Sequence, residues 1–383
     1  MTAPARRIVF LGTHGQYNIG DELLLETFLT QLGPQHRYLV NSYDPDFTRS
    51  QLRPRFDVRV IDTGADRLQL LRALRGADLL VFGGGSIIKE LYASTGRNPY
   101  STLAMILGVV TFARRIARKP VAMLNIGVGP LRTRMGLWLA RRILSQVDLI
   151  TVRDQKSFDT CREIGIDATL VPDAVFSTDE EFLLRPADDT PAPRSDGALR
   201  VALNLNFDIE NPEAWEPFLD RLAAALESVH ARHPLEVHSL PMQIGFKDHD
   251  DVEVLDALAG RLASVPFVRH EPRTHVDAAR LIRDSDVLVS ERLHAIVMAS
   301  LLGVPSFVLA YDVKVRELAK TLGLTEWTVD INEPFDASAL ADGLVDLIER
   351  RDAVGAAVGA RSAELRTAAR DSFARAQGWA ESA

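Results

Sequence analysis

Arg292 and His294 lie two residues apart just after the apolar run "DVLVS", and Lys314 follows the next such run, "PSFVLAY", within "YDVK". A guanidinium forks onto carboxylate or phosphate, an ammonium adds a point charge, and an imidazole can also move protons near neutral pH. Gathered at the carboxyl ends of two successive strands, they suit a small, densely anionic ligand. A lone histidine there would read as a helix cap or a core residue; the company of Arg292 and Lys314 favours function. Arg153, at the end of "DLITV", is likewise placed to grip an anion, or else pairs with Asp154 at the start of a helix.

Glycine-rich turns follow other apolar runs. In "LGTHGQYNIGDELL", Gly12 and Gly15 permit tight turns, Gly20 lets the chain approach a ligand, and Asn18 and Asp21 lie near a helix start. Asp21 either caps that helix or serves as a general base. The stretch is neither G-x-G-x-x-G nor a Walker loop, so the usual dinucleotide and nucleoside-triphosphate fingerprints are absent. In "VFGGGSIIKE" the strand ends at Phe82 and a helix is expected to open, with Gly83, Gly84 and Gly85 turning backbone N–H groups toward an anion or a sugar oxygen. The D-x-D pairs Asp44/Asp46 and Asp284/Asp286 are of a kind frequent by chance, and "KDHDD", Lys247 to Asp251, reads as a solvated loop. No metal site is expected.

The elements that must hold these loops alternate along the chain: short β-branched runs from "RIVFLG" to "DLITVRD", then again from "RVALNLN" to "PSFVLAY", each separated by helical patterns such as Glu213 to Arg232 and Asp277 to Arg283. This predicts an α/β chain of two doubly wound, Rossmann-like domains facing a cleft, with ligands at the carboxyl ends of the strands. The expected boundaries are 1–177, a Pro- and Asp-rich linker at 178–199, 200–351, and a helical tail at 352–383 that could pack on the first domain. Hydrophobic residues make up 46% of the 383, enough for two cores.

A net charge of −8 argues against nucleic acid as a partner. Cys161, the sole cysteine, excludes an internal disulfide and reads as a small helical filler in a reducing cytosol. "MTAPARRIVFLG" reads as a first strand rather than a signal peptide, and "LAMILGVVTFA" falls short of the about 20 residues a membrane span takes. A soluble, cytoplasmic protein is expected. The arginines of "RRIARK", with Arg132, Arg134, Arg141 and Arg142, suit either solvated helix faces or peripheral contact with anionic lipid at the inner face of the plasma membrane.

In order, Gly12 to Glu22 with "NIGDE", Gly83 to Gly85, "GVGP" at Gly127 to Pro130, "VRDQKS" at Val152 to Ser157, Pro172 with Asp173, "RLHAIVMASLLGVP" at Arg292 to Pro305, and "YDVK" at Tyr311 to Lys314 resemble the motifs of the polysaccharide pyruvyltransferases. Val313 stands where proline is common in that family, and His14 and Gln16 fill its variable first loop. The resemblance implies a fold similar to glycosyltransferase type B (GT-B). It also implies transfer from phosphoenolpyruvate to two hydroxyls of a sugar in a cell-envelope or exopolysaccharide glycan, or in its lipid-linked precursor. The products would be a cyclic pyruvate ketal and phosphate, with no cofactor beyond the co-substrate. On that basis Arg153, Arg292 and Lys314 would bind phosphoenolpyruvate in a reaction to which His294 and Asp21 bring proton transfer, while Asn18 and Gly83 to Gly85 position the acceptor. The first domain would then serve the acceptor and the second the donor. A nucleotide-sugar glycosyltransferase and a non-catalytic scaffold of the same fold are the competing readings.

Overall fold

Runs of Val, Ile, Leu and Phe that are apolar at every position, rather than at every other one, form strands covered on both faces, the condition of a parallel sheet flanked by helices. The computed structural model describes residues 5–53, 55–62, 64–65, 67–91, 98–185, 197–207, 215–246 and 249–383. Seven strands, β1 (Arg7–Leu11), β2 (Arg37–Asn41), β3 (Asp57–Ile61), β4 (Leu79–Gly83), β5 (Val121–Ile126), β6 (Leu149–Val152) and β7 (Thr169–Leu170), make one parallel sheet in the order β3-β2-β1-β4-β5-β6-β7. Six more, β8 (Leu199–Asn204), β9 (Leu235–Ser239), β10 (Phe267–Val268), β11 (Val287–Ser290), β12 (Ser306–Ala310) and β13 (Thr328–Asp330), make a second in the order β10-β9-β8-β11-β12-β13. β7 and β13, of two and three residues, carry too little pattern to be read from sequence.

In each sheet the chain first winds to one side and then returns to the other side of its first strand, which creates a switch point between β1 and β4 and another between β8 and β11. Right-handed crossovers then set helices Arg67–Gly76, Ser101–Thr111 and Arg134–Leu144 on one face of the first sheet. Leu70, Leu74, Leu103, Ile106, Val110, Leu139 and Ile143 from these helices pack into one core with Val9, Leu80, Val121 and Ile150 of the strands. Cys161 lies buried in the same core, and burial pushes its thiol up to about 11.

The chain divides into two compact units. One comprises Met1–Gln16, Asp21–Ser177 and Arg366–Ala383, and the other Tyr17–Gly20 and Thr178–Leu365. The tail is a single helix, Arg351–Ser382, whose part from Arg366 onward belongs to the first unit. There Phe373 meets Phe28 edge-on at 5.5 Å, and Arg370 Nε donates to the Ser177 carbonyl at 2.9 Å. Of the expected linker, Glu180–Leu184 is a short helix capped by Asp179 and β8 begins at Leu199, while 186–196 lie outside the described residues, as does Glu213. Among the described residues, no helix is long and apolar enough to cross a membrane.

One local expectation is overturned: no helix opens at Gly83 to Gly85. Gly84 and Gly85 take positive φ angles of 65° and 70°, the Gly84 N–H donates to the Leu124 carbonyl, and the Gly127 N–H donates to the Gly85 carbonyl. The chain is thereby held along the end of β5, and Ile88 bridges Val128 instead of entering a helical turn. Gly83 itself is demanded by sterics, because a Cβ there would overlap the ring of Phe10, which is fully buried. Gly83→Ala is expected to destabilise the fold by about 1–3 kcal/mol through overpacking, seen as a lower midpoint in urea unfolding.

Candidate functional site

The site of the second unit grows from the switch point between β8 and β11. Asn204, the buried last residue of β8, accepts at Oδ1 from the Ser290 hydroxyl at 3.1 Å and from the Arg292 N–H at 3.2 Å, so one side chain aligns the exit of the neighbouring strand. Its amide nitrogen donates to the Leu240 carbonyl at 2.9 Å and to Asp251 Oδ2 at 3.3 Å. Asp251 also accepts from the Met242 and Gln243 N–H groups at 2.9 and 3.2 Å. Its other oxygen takes Arg292 Nη2 at 2.6 Å, in a pair whose side chains are 12% and 3% exposed. The loop expected to be solvated is therefore structural at its end: Asp250 caps helix Asp251–Ala259, and Asp251 anchors the arginine. Lys247 and Asp248 lie outside the described residues. A carboxylate cannot be buried this way without partners for both oxygens, and here four donors supply them.

Arg292 occupies the N-cap of helix Leu293–Leu301 and makes no side-chain cap bond, so the first N–H groups of that helix are not capped by it. His294 sits in its first turn. Against its imidazole lies Gly20, where a Cβ would overlap His294 Nδ1. Gly20 arrives there because residues Tyr17–Gly20 belong to this unit: Asn18 forms an antiparallel bridge with Gln243, and the Ile19 N–H donates to the Met242 carbonyl at 2.8 Å. Asn18 Oδ1 accepts the Gly20 N–H at 2.9 Å and so shapes the turn. Met242 and Gln243 thus serve both Asp251 and the glycine loop.

At the end of β12, Lys314 Nζ lies 5.3 Å from the centre of the Tyr311 ring and 3.0 Å from Asp312 Oδ2, while Asp312 caps the following helix through the Val315 N–H at 3.0 Å. Burial raises the Tyr311 phenol above its ordinary pKa, and the charges of Lys314 and Arg292 oppose that rise. Arg292, His294, Tyr311 and Lys314 are thus gathered in one unit. Near them, Glu291, fully buried, accepts from the Asn206 amide at 2.8 Å. Asn204, Asp251 and Glu291 escaped sequence reasoning; the one available signal was an Asp-rich loop whose partner lay 41 residues on.

The remaining candidates lie in the first unit. Asp21 stands in the first turn of helix Ile19–Leu32 beside Glu22. Glu22 Oε1 accepts the Gly15 N–H at 2.6 Å, and burial, helped by the charge of Asp21, pushes its carboxyl up to about 7. His14 is buried over Phe10, ring centres 5.9 Å apart, and burial lowers it to about 3, so it is neutral. Arg153 Nη1 pairs with Asp173 at 3.2 Å, each side chain 7% exposed. Asp154 caps the next helix, and Ser157 Oγ accepts the Val128 N–H at 2.8 Å. Glu90, unnoticed in the sequence, is buried and receives the Arg132 and Thr133 N–H groups at 3.0 Å. The D-x-D aspartates have local partners: Asp44 is a helix cap, Asp284 pairs with Arg283, and Asp286 takes the Arg200 N–H. Among the described residues, no group of three or more His, Cys, Asp or Glu is placed to hold a metal ion.

A sequence profile of the family described as polysaccharide pyruvyl transferase matches residues 18–313. The amylovoran biosynthesis protein AmsJ of Erwinia amylovora is 22% identical over 304 residues, which span 73% of this chain and 68% of that protein. A Listeria monocytogenes structure named for a UDP-N-acetylglucosamine 2-epimerase is similar with a TM-score of 0.65 at 12% identity, over 99% of this chain and 98% of that one. The glycotransferase of kitacinnamycin is similar with a TM-score of 0.53 at 18% identity, over 99% and 98%. At these identities the structural likeness establishes the fold, two parallel α/β sheets of the GT-B kind.

Two outcomes follow from the geometry. Gly20→Ala should displace the His294 ring, shifting its NMR resonances while leaving the global fold intact. Because the folded state keeps Glu22 protonated up to about 7 against an ordinary value of 4.5, the folded chain binds more protons in that window and stability falls as pH rises through it. Glu22→Gln should flatten that slope in urea midpoints measured across the same range.

Proposed function

Since the chain belongs to the polysaccharide pyruvyl transferase family, we propose that it moves the pyruvyl group of phosphoenolpyruvate onto two hydroxyls of one sugar. The acceptor is a cell-envelope or extracellular glycan, or its lipid-linked precursor. The methylene carbon gains a proton and becomes a methyl group, the bond from C2 to the phosphate oxygen breaks, and two bonds from C2 to sugar oxygens form. Of the two hydroxyl protons, one balances that added to carbon and the other leaves with phosphate. The observation that supports this reading is the cluster of Arg292, His294, Tyr311 and Lys314 at the carboxyl ends of β11 and β12.

In this reading Arg292, oriented by Asp251, and Lys314 bind the carboxylate and phosphate of the donor. The start of helix Leu293–Leu301 adds the attraction of its N–H groups for an anion. His294 protonates the methylene carbon or assists the departing phosphate, and the tight seat against Gly20 orients its ring. Tyr311, kept as a neutral phenol, donates a hydrogen bond without adding charge. Asp21, next in the chain after Gly20, is assigned the deprotonation of a sugar hydroxyl. Asn18 and the Gly83 to Gly85 turn are assigned to the acceptor, and Arg153, already bound to Asp173, is assigned a further contact with the donor.

Incubating the protein with phosphoenolpyruvate and a panel of free and lipid-linked glycosides should release phosphate and add the pyruvate increment to the product mass. His294→Ala is expected to lower kcat by about 10²–10⁴-fold with the fold intact, the range for loss of a positioned acid–base group. Turnover of UDP-sugars without phosphoenolpyruvate, or an unchanged rate in His294→Ala, would sink the proposal.

A further inference from the structure

The helices on one face of the first sheet have an unusual outer surface. Residues 67–76, 101–119 and 131–146, which form helices Arg67–Gly76, Ser101–Thr111 with its continuation Phe112–Ala117, and Arg134–Leu144, hold eleven Arg and Lys and no Asp or Glu, in a chain whose net charge is −8. Arg115, Arg118, Arg134, Arg141 and Arg142 are exposed. Between them stand Met105, Ile116, Met135 and Trp138, exposed by 58%, 61%, 51% and 50%. With Leu68 at 63% on the first of these helices, this face carries five of the eight large exposed hydrophobic side chains among the described residues. Its inner side is fully used, because Gly136, Leu139, Ala140, Ile143 and Leu144 are buried against the sheet.

A merely solvated face would mix both signs of charge and carry few large apolar groups. Protruding Trp, Ile and Met gain nothing from a nucleic-acid backbone, and a second copy of this face would bring arginine against arginine. Apolar side chains ringed by arginines, with Arg142 stacked 5.5 Å from the centre of the Trp138 ring, match the layered chemistry of a phospholipid surface, apolar below and anionic at the phosphates. We propose that this face docks on an anionic bilayer, with Trp138, Met135, Ile116 and Met105 entering the headgroup–acyl boundary and the arginines contacting lipid phosphates. The proposal is independent of the donor chemistry above.

The full chain should float with vesicles of phosphatidylcholine containing one-third phosphatidylglycerol, and this binding should weaken as salt is added; vesicles of phosphatidylcholine alone should bind far less. At about 1 kcal/mol per arginine, Arg141→Gln with Arg142→Gln should weaken binding by about 25-fold. Trp138→Ser should also weaken it. Arg269→Gln with Arg273→Gln, the same charge change at exposed sites of the other unit, should leave it unchanged. All variants change exposed side chains, and circular dichroism verifies that each is folded. Equal binding to both vesicle types, binding to neither, retention of heparin without vesicles, or loss in the Arg269/Arg273 control equal to that in the Arg141/Arg142 variant would each overturn the proposal.

Discussion

The buried contact between Asp251 and Arg292 is the constraint on which the second unit's site depends. A carboxylate 3% exposed and a guanidinium 12% exposed are costly to take out of water, and the pair holds because the other carboxylate oxygen is occupied by Asn204 and two backbone N–H groups. That one set of bonds joins the end of β8, the loop at Met242 and Gln243, the start of helix Asp251–Ala259 and the exit of β11. Held in this way, the guanidinium keeps one geometry in the folded chain.

The contact between Gly20 and His294 is the steric counterpart. The loop at Tyr17–Gly20 reaches the imidazole through backbone bonds to the same Met242 and Gln243 that serve Asp251, so the two constraints share their supports. A side chain at Gly20 is excluded by the ring, and a different position of the ring would leave the loop without its neighbour. Residues far apart in the chain are thus interdependent through close packing.

In the first unit the motifs turn inward. The Asn125 amide donates to the Pro172 carbonyl and its oxygen accepts the Ala174 N–H; Arg153 holds Asp173; Ser157 holds Val128. "NIGVGP", "VRDQKS" and "PD" are therefore one interlocked set of strand ends. This gives a structural reason for these residue types, and it shows that Arg153, which the sequence offered as an anion contact, holds Asp173 at a strand's carboxyl end.

The alternation of β-branched runs and helical stretches was enough to infer two parallel α/β sheets, since a strand apolar at every position has few other stable environments. The position of Arg292, His294 and Lys314 at strand ends was legible for the same reason, since each follows such a run. β7 and β13 were not, being too short to show a period, and the glycine turn was misread because neither its left-handed angles nor its partner Leu124 could be known from the local residues. Asp251 looked like solvent-facing charge because the arginine that neutralises it is supplied by another strand's exit. Local patterning, in short, reports the elements and the strand ends that carry polar groups; which carboxylate faces which guanidinium, and which glycine must yield to which ring, depends on long-range register and close packing that exist only once the chain has folded.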